Sequence, residues 1–103
     1  MLCVTVLYPK PADSQFDMDY YLNRHTPLVR ELLGPVGLVG IDLEAGLAGA
    51  APDTSPTYGM IARLKFNSLD ELQTALATNG AALIADIPNF TDVQPVMQIS
   101  QLV

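Results

Sequence analysis

The chain lacks tryptophan and carries one cysteine and one histidine in 103 residues. A single thiol, Cys3, cannot close an internal disulfide, and one histidine without cysteine partners cannot build a zinc site. Cys3 reads as a small buried hydrophobe with no basic sequence neighbour to activate it. Such sparse cysteine makes a reducing, cytoplasmic setting the default expectation. Positive charge is scarce as well: five basic residues, Lys10, Arg24, Arg30, Arg63 and Lys65, face eleven acidic ones, for a net charge of −6. They are scattered, so there is no basic patch to displace counterions from a nucleic acid or to hold an anionic membrane surface.

Long apolar runs are missing too. None reaches the ~18 residues a membrane span needs, and Met1-Leu2-Cys3-Val4 lacks the basic region and cleavage site of a secretory signal. Neither a glycine-rich phosphate loop nor a Gly-x-Ser-x-Gly elbow occurs, and the dispersed acids form no glycosidase-like pair. With half of its residues apolar and 16% charged, the chain is expected to fold as one domain, residues 1–103, that meets small molecules or other proteins.

The chain alternates between two kinds of periodicity. Leu2–Tyr8 is rich in Val, Leu and Tyr and stops at Pro9-Lys10-Pro11, as a strand does. Ser14-Gln15-Phe16-Asp17 spells a capping box, predicting a helix from about Gln15 to Leu33 that Gly34-Pro35 ends. Residues 38–47 alternate, with Ile41, Leu43, Ala45 and Leu47 opposed to Asp42, Glu44 and Gly46. Residues 46–57 read as one long loop. Tyr58, Met60, Ala62, Leu64 and Phe66 then define one face of another strand. Ser68-Leu69-Asp70-Glu71 starts a second helix, which Asn79-Gly80 is expected to interrupt before a shorter turn runs to Pro88. A last strand lies within Val93–Val103.

The order β-α-β-β-α-β is the ferredoxin-like α+β arrangement, a four-stranded antiparallel sheet with two helices on one face. The strands carry apolar residues on both sides, Val4 and Val6 against Cys3, Thr5 and Leu7. A second copy would cover the other face, so a homodimer through sheet faces is expected. Arg63 fits a sheet-edge charge, an anion ligand or an interface partner, while Gln94 and Gln98 share a strand face and suit an interface.

His25 carries the chemical interest. On an α-helical wheel Met18, Tyr21, Leu22, Leu28, Val29, Leu32 and Leu33 fall within ~80° of it. Pro27 removes the hydrogen bond to the Asn23 carbonyl, so the helix either kinks there or restarts with Thr26 as N-cap. An inward histidine fits two roles, a structural ring bonded to a carbonyl or a proton-transfer group. The pattern leaves both open, along with a single axial haem contact. Tyr21, one turn earlier on the same stripe, needs its hydroxyl satisfied by a partner or a ligand.

Phe16-Asp17-Met18-Asp19-Tyr20-Tyr21-Leu22-Asn23-Arg24-His25-Thr26-Pro27-Leu28-Val29 resembles the signature of the EthD family, named for ethyl tert-butyl ether degradation. Asp86 to Ser100, beginning Asp86-Ile87-Pro88-Asn89-Phe90, is similar to that family's C-terminal block. The resemblance implies a dimeric α+β barrel whose relatives include cofactor-free monooxygenases, isomerases and haem-handling enzymes. It also implies that His25 and Tyr21 are the functional positions, that Asp17 caps the helix, and that Asn89 and Asp92 shape the turn before the last strand.

The resulting expectation is a small enzyme of oxidoreductase, monooxygenase or isomerase type, needing no metal or organic cofactor. Its substrate would be a small apolar aromatic, quinone or lactone. His25 would move a proton, Tyr21 would orient a substrate oxygen, and Met18, Leu22, Tyr58 and Met60 would bind the carbon skeleton. The alternative is an accessory protein that binds such a ligand for a partner oxygenase.

Overall fold

The computed structural model describes residues 1–103. Four strands, β1 (Leu2–Pro9), β2 (Leu38–Ala45), β3 (Tyr58–Phe66) and β4 (Val96–Gln101), form one antiparallel sheet in the order β2-β3-β1-β4. The first helical region and the long helix α3 (Leu69–Asp86) complete the ferredoxin-like α+β fold expected from the element order.

Register explains which alternating residues meet the helices. Val4 pairs with Leu64 and Ile99, and Val6 with Ala62 and Met97, so these side chains share a face with Tyr8 and Phe66. Phe66, Leu33 and Leu72 are fully buried between the sheet and the helices. The opposite face bears Cys3, Thr5 and Leu7 on β1 beside Ile61, Arg63 and Lys65 on β3. There Arg63 pairs with Glu44, and Lys65 with Asp42 at 3.2 Å. Cys3 is only 1% exposed beneath that polar cover.

The first helical region departs from the sequence expectation. It begins at Met18, not Gln15, because Asp17 rather than Ser14 is the N-cap, its carboxylate accepting from Tyr20 N at 3.0 Å. Asp17 also gives its own N–H to the Phe90 carbonyl at 2.7 Å, holding Phe16 in extended backbone bridged to Thr91. After α1 (Met18–Tyr20) comes a π-helical turn, Tyr21–His25, and then α2 (Thr26–Leu33). The proline therefore produces neither of the two expected outcomes. Thr26 stays helical at φ −61° and ψ −43°, and its N–H and hydroxyl both donate to the Tyr21 carbonyl, the latter at 2.9 Å. One wide turn absorbs the donor that Pro27 lacks. It also shifts the wheel, so Leu22, placed on the buried stripe by α-helical spacing, is 46% exposed.

Helix α3 is also corrected, since it runs unbroken through Asn79-Gly80. Ser68 caps it, accepting from Glu71 N at 3.2 Å while its hydroxyl meets the Glu71 carboxylate. Asn79 continues the helix because its side chain finds a use elsewhere, donating to the Leu32 carbonyl at 2.7 Å and tying α3 to the end of α2. Asn79→Ala is expected to cost about 1 kcal/mol by orphaning that carbonyl, measured as a lower midpoint in urea unfolding with an unchanged slope.

Candidate active site

His25 lies at the last position of the π turn, 6% exposed. Widening the turn brings residues four apart closer to eclipse, and the Tyr21 and His25 rings accordingly stack at 5.4 Å with 26° between their planes. Phe90 packs against the imidazole at 4.6 Å, its plane tilted by 52°. Tyr8 and Phe16 extend this cluster, Tyr8 meeting Phe16, Tyr21 and Phe90 edge-on at 5.5–5.8 Å. Each such pair contributes about 0.5–1.5 kcal/mol beyond its buried area, so the ring of His25 is held by packing against Tyr21 and Phe90.

Its rotation is set by Asp86, the last residue of α3. His25 Nδ1 lies 2.9 Å from Asp86 Oδ2, and the second oxygen, Oδ1, accepts from the Tyr20 hydroxyl at 2.6 Å and from Asn89 Nδ2 at 2.9 Å. Burial pushes the Asp86 carboxyl up, but the bonds from Tyr20, Asn89 and His25 and the imidazolium charge outweigh it and hold the carboxyl below its ordinary value of 3.8. Asp86 is thus an ionised acceptor, which requires His25 Nδ1 to carry a hydrogen. The Tyr20 hydroxyl is pushed above its usual range, first by its bond to Asp86, and so remains a donor.

This arrangement leaves His25 Nε2 free. No bond within the chain uses it, and no buried side-chain nitrogen or oxygen is unpaired, so Nε2 borders open space. His25 lines an apolar cavity of about 260 Å³ between α3 and the β1–β4 side of the sheet, with eleven hydrophobic residues among the thirteen that line it. Its walls include Val4, Val6, Leu83, Ile87 and Met97, and its polar features are His25 and Tyr8. No lysine, arginine, aspartate or glutamate lines it. Burial, then the neighbouring Tyr21, raises the Tyr8 hydroxyl far above its ordinary value, keeping it protonated. Two larger depressions, of about 610 and 500 Å³, are open surface features around Phe16–Asp17 and Pro88–Met97. They are lined by the carboxylates of Asp17 and Asp92, whereas the smaller cavity is the one that His25 lines.

Among the residues nominated from sequence, His25 alone lines this cavity. Tyr21 is 2% exposed and packs behind His25, its hydroxyl pushed up to about 12 by burial. Met60 is 1% exposed in the core, and Tyr58 is half-buried at the start of β3. Met18 lines a separate depression beside Phe16, and Leu22 points outward. Asp92, expected to shape a turn, accepts from Gln15 N at 2.9 Å and ties the segment after α3 to the start of α1. Asn89 does more than shape a turn, since it holds Asp86. Sequence reasoning missed Tyr8, Asp86 and Tyr20 as site residues. Tyr8 had a signal, sharing strand parity with Val4 and Val6, but Asp86 had only its place at the head of the family-like C-terminal block, with nothing to pair it with His25. No three His, Cys, Asp or Glu side chains converge in a way that could hold a metal ion.

Residues 9–94 match the model of the EthD domain. An EthD-like protein from Ralstonia eutropha has 35% identity over 99% of this chain and 91% of its own, with a TM-score of 0.91. An ethyl tert-butyl ether degradation family protein from Bacillus halodurans superposes at 0.78 with 22% identity, over 100% and 99% of the two chains. The fold also extends to SnoaB, a cofactor-independent oxygenase from Streptomyces nogalater, at 14% identity and a TM-score of 0.59 over 98% and 90%. No match emerges among curated proteins.

A carboxylate whose folded pKa lies below its unfolded one adds stability that is complete above the unfolded value and is lost as pH falls through the folded value. Asp86 is such a group. Wild type should therefore melt at a higher temperature than Asp86→Asn near neutral pH, and the gap should close as pH falls below the ordinary carboxyl value of 3.8. A gap constant across that range in parallel melting curves would contradict the assignment.

Proposed function

The chain belongs to the EthD family, and from that premise we propose that it is a small enzyme that moves a proton on an uncharged, apolar substrate without a dedicated cofactor. The observation that carries this reading is the free Nε2 of an Asp86-oriented imidazole at the wall of an otherwise apolar cavity. The neutral ring, with hydrogen on Nδ1, presents an Nε2 lone pair as general base. Asp86 then stabilises the imidazolium, and Tyr20 and Asn89 hold Asp86 in place. The role given to Tyr21 from sequence passes to Tyr8, a residue that lines the same cavity as His25 and whose hydroxyl stays protonated. Tyr21 becomes the residue that fixes the ring from behind.

In this mechanism Nε2 takes a proton from a C–H beside a carbonyl, or from a phenolic O–H. The electron pair stays on the substrate as an enolate or phenolate, whose oxygen accepts a hydrogen bond from Tyr8. Returning the proton to another carbon is an isomerisation. Giving the electrons to molecular oxygen opens a cofactor-free oxygenation. The absence of cationic side chains from the lining favours neutral substrates and disfavours carboxylates, because a buried unpaired anion is costly.

The same reading includes a homodimer formed through the face of the sheet opposite the helices. Thr5, Leu7, Ile61 and Val96 lie there uncovered by any element of the chain, and the nearby charges already pair within β2 and β3. Leu7→Asp should shift the protein to monomer in sedimentation equilibrium, and an unchanged mass would remove this interface from the reading.

The catalytic proposal is tested with 2-tetralone, a neutral two-ring ketone with acidic C–H bonds, followed by proton NMR in deuterated buffer. Wild type is expected to accelerate exchange at the acidic carbon, His25→Gln to lose about 10²–10⁴-fold, and Tyr8→Phe to lose less. Binding without acceleration in wild type would favour the accessory ligand-binding protein instead.

A further inference from the structure

Glycine is the poorest helix former after proline, costing about 1 kcal/mol relative to alanine in a helix interior. Gly80 nevertheless sits in the middle of α3, fully inside the helix and buried. Its backbone needs no special conformation, since its φ is not positive. Nor does it permit a close approach of another element. A Cβ built at Gly80 meets only Leu76 of the same helix, with Cβ at 3.6 Å and Cδ2 at 3.9 Å, both ordinary contacts. A buried position with nothing else within 4 Å of its Cβ faces empty space, and Gly80 is one of the residues that line the cavity of His25.

We infer that Gly80 is a specificity-determining residue, the missing side chain giving the cavity the depth to admit a fused two-ring, uncharged compound where an alanine would restrict it to a single ring. The inference rests on the reading of this cavity as the substrate site and goes beyond it by naming the size class. Volume supports the assignment. A dry cavity of about 150 Å³ holds benzene, drug-sized ligands occupy pockets from about 300 Å³ upward, and this cavity, at about 260 Å³, falls between. Its lining around Gly80 is Leu76, Leu83 and Ile84, with no polar group to recognise a substituent, so selection at that end is by shape. Leu76, one turn before Gly80, borders the same space and is the side chain whose removal would restore the lost volume.

The test compares wild type, Gly80→Ala and the double variant Gly80→Ala/Leu76→Ala, using phenol and 1-naphthol as probes in equilibrium dialysis and thermal melting. Gly80→Ala is expected to raise Tm by about 4–8 °C through helix propensity. It should weaken 1-naphthol by about tenfold or more and phenol by less than about threefold, as expected when one or two methylene-sized volumes are at stake. The double variant should recover 1-naphthol binding despite its lower Tm. A lower Tm for Gly80→Ala would show that the space is not open and would overturn the proposal. So would equal effects on both probes, or a double variant that does not recover. If wild type binds neither probe, the substrate-site reading of the cavity falls and this proposal falls with it. If wild type binds both but Gly80→Ala changes neither, only the role of Gly80 is lost.

Discussion

The Asp86 carboxylate is the constraint on which the site depends. Taking a carboxylate largely out of water is costly unless its lone pairs are used, and here Tyr20, Asn89 and His25 all meet it. Those partners come from both ends of the chain, so satisfying one charge fixes the relation between the π turn and the end of α3. Contacts nearby reinforce the same joint. Thr91 gives its hydroxyl to the Gln15 carbonyl at 2.7 Å, and Asp17 N bonds Phe90 O. The His25 ring is thereby positioned by a clamp between segments more than sixty residues apart, as the span from His25 to Asp86 shows.

The cavity beside that ring comes from two local departures from good helix chemistry. Pro27 denies the first helical region a donor, and the resulting π turn aligns Tyr21 behind His25. Gly80 denies the second helix a side chain where there is room for one. Neither choice favours stability, and His25, at the end of that turn, and Gly80 line the same cavity. This is the pattern expected when a packed domain gives up local stability for a functional site. The surrounding aromatic cluster and the fully buried Phe66, Leu33 and Leu72 supply the rigidity that keeps that volume from collapsing.

Family and chemistry stand on different footings. The ferredoxin-like sheet with its two helices is shared with the Ralstonia and Bacillus relatives and extends to distant proteins. Such breadth establishes architecture, whereas reactions are decided by sites grafted onto it. In this chain the features suited to proton transfer are the His25–Asp86 dyad, its free nitrogen and the apolar cavity that His25 lines. No helix is long and apolar enough to cross a membrane.

Much of the fold was written in local patterns. Period-two alternation in Tyr58–Phe66 located β3 with its buried face, and Ser68 to Glu71 located the start of α3, because pleat and capping are decided by near neighbours. His25 was legible for a similar reason, a lone polar ring on an apolar stripe. Local signals failed where a distant partner outbid them. Asn79-Gly80 spelled a break, yet Asn79 found the Leu32 carbonyl and the helix continued. Ser14 spelled a cap, yet the bridge of Phe16 to Thr91 kept that stretch extended and gave the cap to Asp17. Asp86 looked like one acid among eleven. By itself the sequence determined the order of elements, the core faces and the lone histidine on its apolar stripe. Only the tertiary structure decided which carboxylate orients that group and which tyrosine and glycine share its cavity, because those relations depend on how far α3 runs and where it docks.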